Sequence, residues 1–264
     1  MLRFAANLSM MFNEVPFLDR FGAAAEAGFQ GVEFLFPYEH PVEALVERLR
    51  RHRLENVLFN LPAGNWSAGE RGLTCLPGRR DEFRAGVETA LAYATGLGTK
   101  RVHAMAGIAP AGANPAELRE AYVANLKYAA AEYARHGITL VIEAINTRDM
   151  PGFYLNTQQQ AYEVLQEVNA PNLKMQMDCY HMQIMEGDIA TKLRRYAPHC
   201  AHIQVAGVPE RNEPDTGEVR YTYLFDLLDD IGYDGWVGCE YRPAGNTVDG
   251  LGWFREFSAQ HAAV

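Results

Sequence analysis

Short apolar or alternating segments take turns with longer amphipathic ones from one end of the chain to the other, and eight such pairs can be marked. Eight strand–helix units are what a parallel sheet needs to close into a barrel. The strand candidates are Arg3 to Asn7, Gly31 to Phe36, Asn56 to Leu61, Arg101 to Ala106, Thr139 to Asn146, Leu173 to Asp178, Cys200 to Ala206 and Trp236 to Tyr241. Between them apolar residues recur at helical spacing, as in Phe17, Phe21 and Ala24, in Val42, Leu45 and Leu49, in Phe83, Val87 and Ala90, and in Leu118, Tyr122 and Leu126. Gly28, Gly98, Gly137 and Gly232 stand shortly before strands, where a helix that ends in a left-handed residue favours glycine. Asn114 before Pro115, and Thr157, are placed to cap helices. At 264 residues, with no linker or low-complexity tract, the expected fold is α/β: a single-domain (β/α)8 TIM barrel over residues 1–264.

Composition narrows the partners. Hydrophobic residues make up 48% and charged residues 22%, the balance of a chain that buries a sizeable core. A formal charge of −9 argues against a nucleic-acid partner, because a phosphate-backbone binder needs a basic face to displace counterions. Cys75, Cys179, Cys200 and Cys239 lack CxxC spacing, so neither structural zinc nor a disulfide framework is indicated. No stretch approaches the roughly 18 consecutive apolar residues of a membrane span, and the opening residues lack the basic-then-apolar order of a signal peptide. The expectation is a cytoplasmic protein with no membrane partner.

In a parallel barrel the carboxyl ends of all strands open on one rim, so polar residues there converge however far apart they stand in sequence. On the fifth to eighth strands they are Glu143 in VIEAIN, Asp178 in MQMDCYH, Gln204 in HIQVAG and Glu240 in VGCEYRP. Taken singly, such a residue caps a strand or pairs with an arginine about as often as it does anything else. Together, three acids and an amide would repel one another without a cation, and their oxygen donors suit Mg²⁺ or Mn²⁺. With no cysteine or histidine in the set, structural zinc fits poorly, while catalytic Zn²⁺ stays open. The longest irregular stretch, Pro62 to Arg79, is glycine-rich and follows a strand, which makes it a substrate-covering loop on the active rim.

Longer motifs run through the chain: FAANLSMMF, GFQGVEFLFPY, FNLPAGNWSAGERGL, IEAINTRDMPGFYL, DCYHMQIMEGD, HIQVAGVPERNEPDTGEV and GWVGCEYRP. Together they resemble the hydroxypyruvate isomerases, within the wider group of sugar-isomerase and epimerase barrels and close to the 2-oxo-tetronate isomerases. The likeness spans almost the whole chain. It implies that Glu143, Asp178, Gln204 and Glu240 bind one divalent metal, and that Glu143 and Glu240 also act as proton donor and acceptor. Gln204 stands where related ketohexose epimerases have histidine, which favours the hydroxypyruvate isomerase branch. His181 matches a substrate-contacting histidine of the wider group, and Arg211 lies one residue beyond the place of a substrate-binding arginine. The resemblance implies interconversion of hydroxypyruvate and tartronate semialdehyde through an enediolate, with a four-carbon 2-oxo-tetronate as the alternative substrate. Similar barrels are frequently homodimers.

A substrate carboxylate wants a cationic partner, and the arginines near the expected rim are Arg71, Arg148, Arg211 and Arg242. Arg71, in the glycine-rich loop, is the preferred candidate. His103 and His202 lie on apolar strands and are read as satisfied core histidines. Trp66 and Tyr154 are read as packing before recognition. Two other classes remain: a metal-dependent phosphodiesterase of the endonuclease type, disfavoured by the acidic charge, and a non-catalytic sugar-acid binder, which has no need of paired glutamates.

Overall fold

The computed structural model describes residues 2–261. Eight parallel strands close in sequence order: β1 (Arg3–Asn7), β2 (Gly31–Glu33), β3 (Glu55–Asn60), β4 (Arg101–His103), β5 (Thr139–Glu143), β6 (Leu173–Asp178), β7 (Cys200–Val205) and β8 (Trp236–Cys239). Closure is made by β8 pairing back on β1, Arg3 beside Trp236 and Ala6 beside Cys239. Helices α1 (Phe17–Glu26), α2 (Val42–His52), α3 (Arg80–Leu97), α4 (Pro115–Ala134) and α5 (Gln158–Val168) follow the first five strands. The β6–β7 connection holds two, α6 (Cys179–Met185) and α7 (Ile189–Tyr196), before α8 (Tyr221–Asp230) and α9 (Gly252–His261) complete the ring.

The helices form where the apolar period placed them. Leu118, Tyr122, Leu126 and Ala129 are all buried on the inner face of α4. Asn114 Oδ1 accepts from Ala116 N at 3.0 Å and Thr157 Oγ1 from Gln160 N at 3.2 Å, caps worth about 1 kcal/mol each. The four glycines before strands all adopt positive φ. Phe4 on β1 meets Phe225, Trp253, Phe254 and Phe257 edge-on, which seals α8 and α9 against the first strand. Each such buried ring contributes roughly 1.5–3 kcal/mol through burial. A second, smaller cluster of Ala5, Val57, Leu58, Val141 and Trp236 lies apart from the main core.

Three strands end well short of the apolar runs, since β2 stops at Glu33, β4 at His103 and β5 at Glu143. The residues beyond them are buried or half-buried and leave the ladder at the rim. Ala104–Ala106 illustrates the cause: Cys75 N donates to Ala106 O at 2.8 Å and Thr74 Oγ1 to Met105 O at 2.7 Å, so the loop after β3 covers this segment. Hydrophobicity reports burial there, and not strand pairing. Among the described residues no helix is long and apolar enough to cross a membrane, and the four cysteines are free thiols.

Candidate active site

Every strand delivers a polar side chain to the same rim. Asn7, Glu33, Asn60, His103, Glu143 and Asp178 are the last residues of β1 to β6, Gln204 is one short of the end of β7, and Glu240 follows β8 directly. All eight are buried. A cavity of about 600 Å³ opens above them, lined among others by Glu143, Gln176, His181, Arg211, Glu240 and Arg242.

Glu143, Asp178, His181 and Glu240 each bring one donor atom within 4.8 Å of all the others. Asp178 is positioned by a second duty: its Oδ1 accepts from Tyr180 N at 2.8 Å and caps α6, which leaves Oδ2 facing the site. The first turn of α6 carries His181, whose Nε2 lies 3.5 Å from Asp178 Oδ2 and 3.9 Å from Glu143 Oε1. Asn146 fixes that ring. Its Oδ1 accepts from Asp149 N at 2.7 Å, so its amide nitrogen donates to His181 Nδ1 at 2.6 Å. The imidazole proton is therefore on Nε2, aimed at the carboxylates. Burial, with Arg211 adding, holds the His181 pKa well below the usual range, so the ring is neutral.

Burial dominates the acids too. Glu143 titrates well above an ordinary glutamate because it is desolvated and sits near Glu240 and Asp178. Glu240 is pushed up to about 8 by burial, with Asp178 and Glu33 adding and Arg211 opposing. Asp178 is raised to about 6 by burial against the pull of Arg211 and the Tyr180 backbone. Glu143 Oε1 is buried with no hydrogen-bond partner. Crowded, desolvated carboxylates with an unpaired oxygen suit a hard divalent cation, so the donor set fits one.

Arg211 enters from the loop after β7 with φ at +60°, a conformation that bulky residues rarely hold without a constraint. Its backbone oxygen accepts from Arg242 N at 2.8 Å, and its guanidinium lies 4.8 Å from the Tyr180 ring centre. The side chain reaches Glu240 Oε2 at 2.6 Å and Asp178 Oδ2 at 3.4 Å. Gln204 stands beside Asp178 in the ladder. Its Oε1 accepts from Gln176 Nε2 at 2.6 Å and its Nε2 donates to Glu33 Oε1 at 2.7 Å, so it lies next to the cavity and does not line it.

Two expectations about single residues change. Arg71 stays in its own loop, donating to Trp66 O at 2.9 Å and Glu70 O at 2.7 Å with its guanidinium 4.0 Å from the Trp66 ring centre; Trp66, and not Arg71, lines the cavity. His103, read as a satisfied core residue, lines the cavity as well, with Nδ1 3.2 Å from Asn60 Oδ1 and 3.7 Å from Glu143 Oε2, and Nε2 without a partner. Burial lowers its pKa to about 3, so it is a neutral hydrogen-bonding group. His202 does pair inside the barrel, Nε2 lying 2.6 Å from Glu33 Oε2. Extending the strand-end criterion to the first four strands would have selected Asn7, Glu33, Asn60 and His103.

Comparison with known proteins agrees with this architecture. The family model for the xylose isomerase-like TIM barrel matches residues 21–257. The chain is 56% identical over 257 residues to the 2-oxo-tetronate isomerase of Cupriavidus necator, covering 97% of this chain and 99% of that protein. It is 48% identical over 253 residues to the hydroxypyruvate isomerase of Escherichia coli, covering 96% and 98%. A crystal structure from Brucella melitensis, described as an AP endonuclease of family 2, has a TM-score of 0.96 at 50% identity, covering 97% and 99%. The chain belongs to the xylose isomerase-like TIM barrel family and stands there among hydroxypyruvate isomerase and 2-oxo-tetronate isomerase homologues.

Proposed function

We propose that the chain is a divalent-metal-dependent isomerase of a short hydroxy-keto acid, interconverting hydroxypyruvate and tartronate semialdehyde by proton transfer between neighbouring carbons. The observation that carries this reading is that Glu143 and Glu240, from strands on different sides of the barrel, line one cavity with both carboxyls held high by burial. Mutual repulsion favours one neutral and one ionised member, which is the state an acid–base pair needs. Relatives named for this chemistry support the assignment.

Hydroxypyruvate carries a hydroxyl on the carbon next to its ketone. One glutamate removes a proton from the hydroxyl-bearing carbon, leaving an enediolate; a proton then returns to the former ketone carbon, and the proton of the original hydroxyl passes to the former ketone oxygen as the aldehyde forms. No atom is gained or lost. Glu143 and Glu240 serve as the proton acceptor and donor, contributing about 10²- to 10⁴-fold. His181 Nε2–H donates to a substrate oxygen, and Arg211 and Arg242 offer the cationic partners for the carboxylate. Arg71 acts at one remove, by stacking on Trp66. A Mg²⁺ or Mn²⁺ ion held by Glu143, Asp178, Gln204 and Glu240 would supply Lewis-acid stabilisation of the developing negative charge.

A second reading, a four-carbon 2-oxo-tetronate as substrate, is favoured by the relative at 56% identity and by polar cavity residues beyond the rim, Ser9, Asn13 and Thr247. An endonuclease reading has the Brucella structure's description behind it, but a chain of net charge −9 is poorly suited to displacing counterions from nucleic acid. The test is steady-state turnover of hydroxypyruvate and of 2-oxo-tetronate by metal-stripped and Mg²⁺- or Mn²⁺-reloaded protein. Turnover of the three-carbon acid only after reloading is expected. Turnover of the four-carbon acid alone selects the second reading, and turnover of neither refutes both.

A further inference from the structure

Glu33 ends β2, is 1% exposed, and does not line the cavity. Both of its oxygens are engaged. Oε1 accepts from Gln204 Nε2 at 2.7 Å and from Asn7 Nδ2 at 3.0 Å, while Oε2 lies 2.6 Å from His202 Nε2. The same Asn7 amide lies 3.1 Å from Glu240 Oε1. Gly238 leaves the space, since a Cβ on that neighbouring residue would collide with the Glu33 carboxylate. One buried carboxylate thus touches Gln204 directly and Glu240 through a single amide.

An amide has two chemically different ends, and only the carbonyl end can bind a cation. A carboxylate oxygen accepts hydrogen bonds, so Gln204 must turn its NH₂ to Glu33 and its carbonyl oxygen the other way, where it now meets Gln176, a residue of the cavity wall. His202 Nε2–H in turn holds the Glu33 carboxylate in place. We propose that Glu33 is a positioning residue that keeps the oxygen end of the Gln204 amide presented to the ligand set. This rests on the reading of Gln204 as a metal ligand.

Glu33→Gln should fail in a specific way. His202 N–H would draw the new carbonyl oxygen, the new NH₂ would face residue 204, and Gln204 would have to flip and offer NH₂ to the cation. Exchanging the two groups, Glu33→Gln with Gln204→Glu, restores an oxygen on the far side of residue 204 while keeping the formal charge and the internal hydrogen bond. The experiment is Mn²⁺ titration of the metal-stripped protein by electron paramagnetic resonance, with thermal melting alongside. Wild-type protein that binds no Mn²⁺ refutes the metal reading itself. Given wild-type binding, Glu33→Gln should bind about 10- to 100-fold more weakly, and the exchanged pair should recover most of the loss. Binding by Glu33→Gln within twofold of wild type, or a loss that the exchange leaves in place, overturns the role. Should Glu33→Gln fail to fold, a crystal structure of the Mn²⁺-loaded wild type decides: Gln204 Oε1 on the ion with Nε2 on Glu33 supports it, and any other arrangement refutes it.

Discussion

Arg211 Nη2 lies 2.6 Å from Glu240 Oε2, so the chain places a cation of its own among the acids proposed to bind a metal. A divalent ion bound there would compete with this guanidinium for the same oxygens. In metal-free protein Arg211→Ala leaves buried acids without a counter-charge and should cost about 3–5 kcal/mol. Saturating Mn²⁺ should stabilise the folded state by about 4 kcal/mol at a thousand times its Kd, and more in the variant, which lacks the competing guanidinium. Thermal melts with chelator and with Mn²⁺ check this: the deficit of Arg211→Ala should shrink when Mn²⁺ is present, and an equal deficit in both would count against the competition.

Glu143→Gln and Glu240→Gln keep the side-chain shape and remove the proposed proton-transfer group. Each should lower kcat by about 10²- to 10⁴-fold, with a further loss where ion affinity falls. Steady-state kinetics at saturating Mn²⁺ measures it, and a variant within tenfold of wild type would remove that residue from the chemistry.

The acids also set a pH dependence. Glu240 titrates near 8 in the fold against an ordinary 4.5, and Asp178 near 6 against 3.8, both raised by burial. The folded state holds these protons more tightly than the unfolded chain does. Their contribution to stability is therefore complete below the ordinary carboxylate range and is lost as pH rises through about 6 and then about 8. The metal-free melting temperature should fall across that interval. A bound cation needs ionised ligands, so Mn²⁺ binding should release protons and tighten with pH. Calorimetry in buffers of different ionisation enthalpy reads the number released; zero would contradict the proposed ligands.

Gly72 adopts φ of +114° and packs so closely on the Met105 carbonyl that an added Cβ would collide with it. Gly72→Ala should cost about 1–3 kcal/mol and shift the loop that carries Trp66 to the cavity. The expected kinetic result is a raised KM with kcat less affected. An unchanged KM would mean that Trp66 does not touch substrate.

Much of this arrangement can be read from residue order, because barrel closure follows from counting units and the rim criterion needs only the last polar residue of each strand. That criterion located Glu143, Asp178, Gln204 and Glu240, and it extends to Glu33 and His103 once all eight strands are treated alike. Loop paths are different. Arg71 and Arg242 look equivalent in sequence, yet Arg71 is held by the carbonyls of Trp66 and Glu70 while Arg242 lines the cavity. Which arginine reaches inward depends on the path of its own loop, which no periodicity encodes. The same holds for Ala104–Ala106, whose apolar character reflects cover by the loop after β3.

Isomerisation in D₂O followed by proton NMR, using metal-stripped and Mg²⁺-reloaded protein with hydroxypyruvate and with 2-oxo-tetronate, probes the proposed metal-dependent proton transfer. Deuterium at the reacting carbons is expected after reloading, none with chelator, and with Glu143→Gln an incorporation slowed by about 10²- to 10⁴-fold. Exchange that proceeds equally well without a divalent ion, or its absence for both acids with Mg²⁺ and with Mn²⁺, would contradict that transfer.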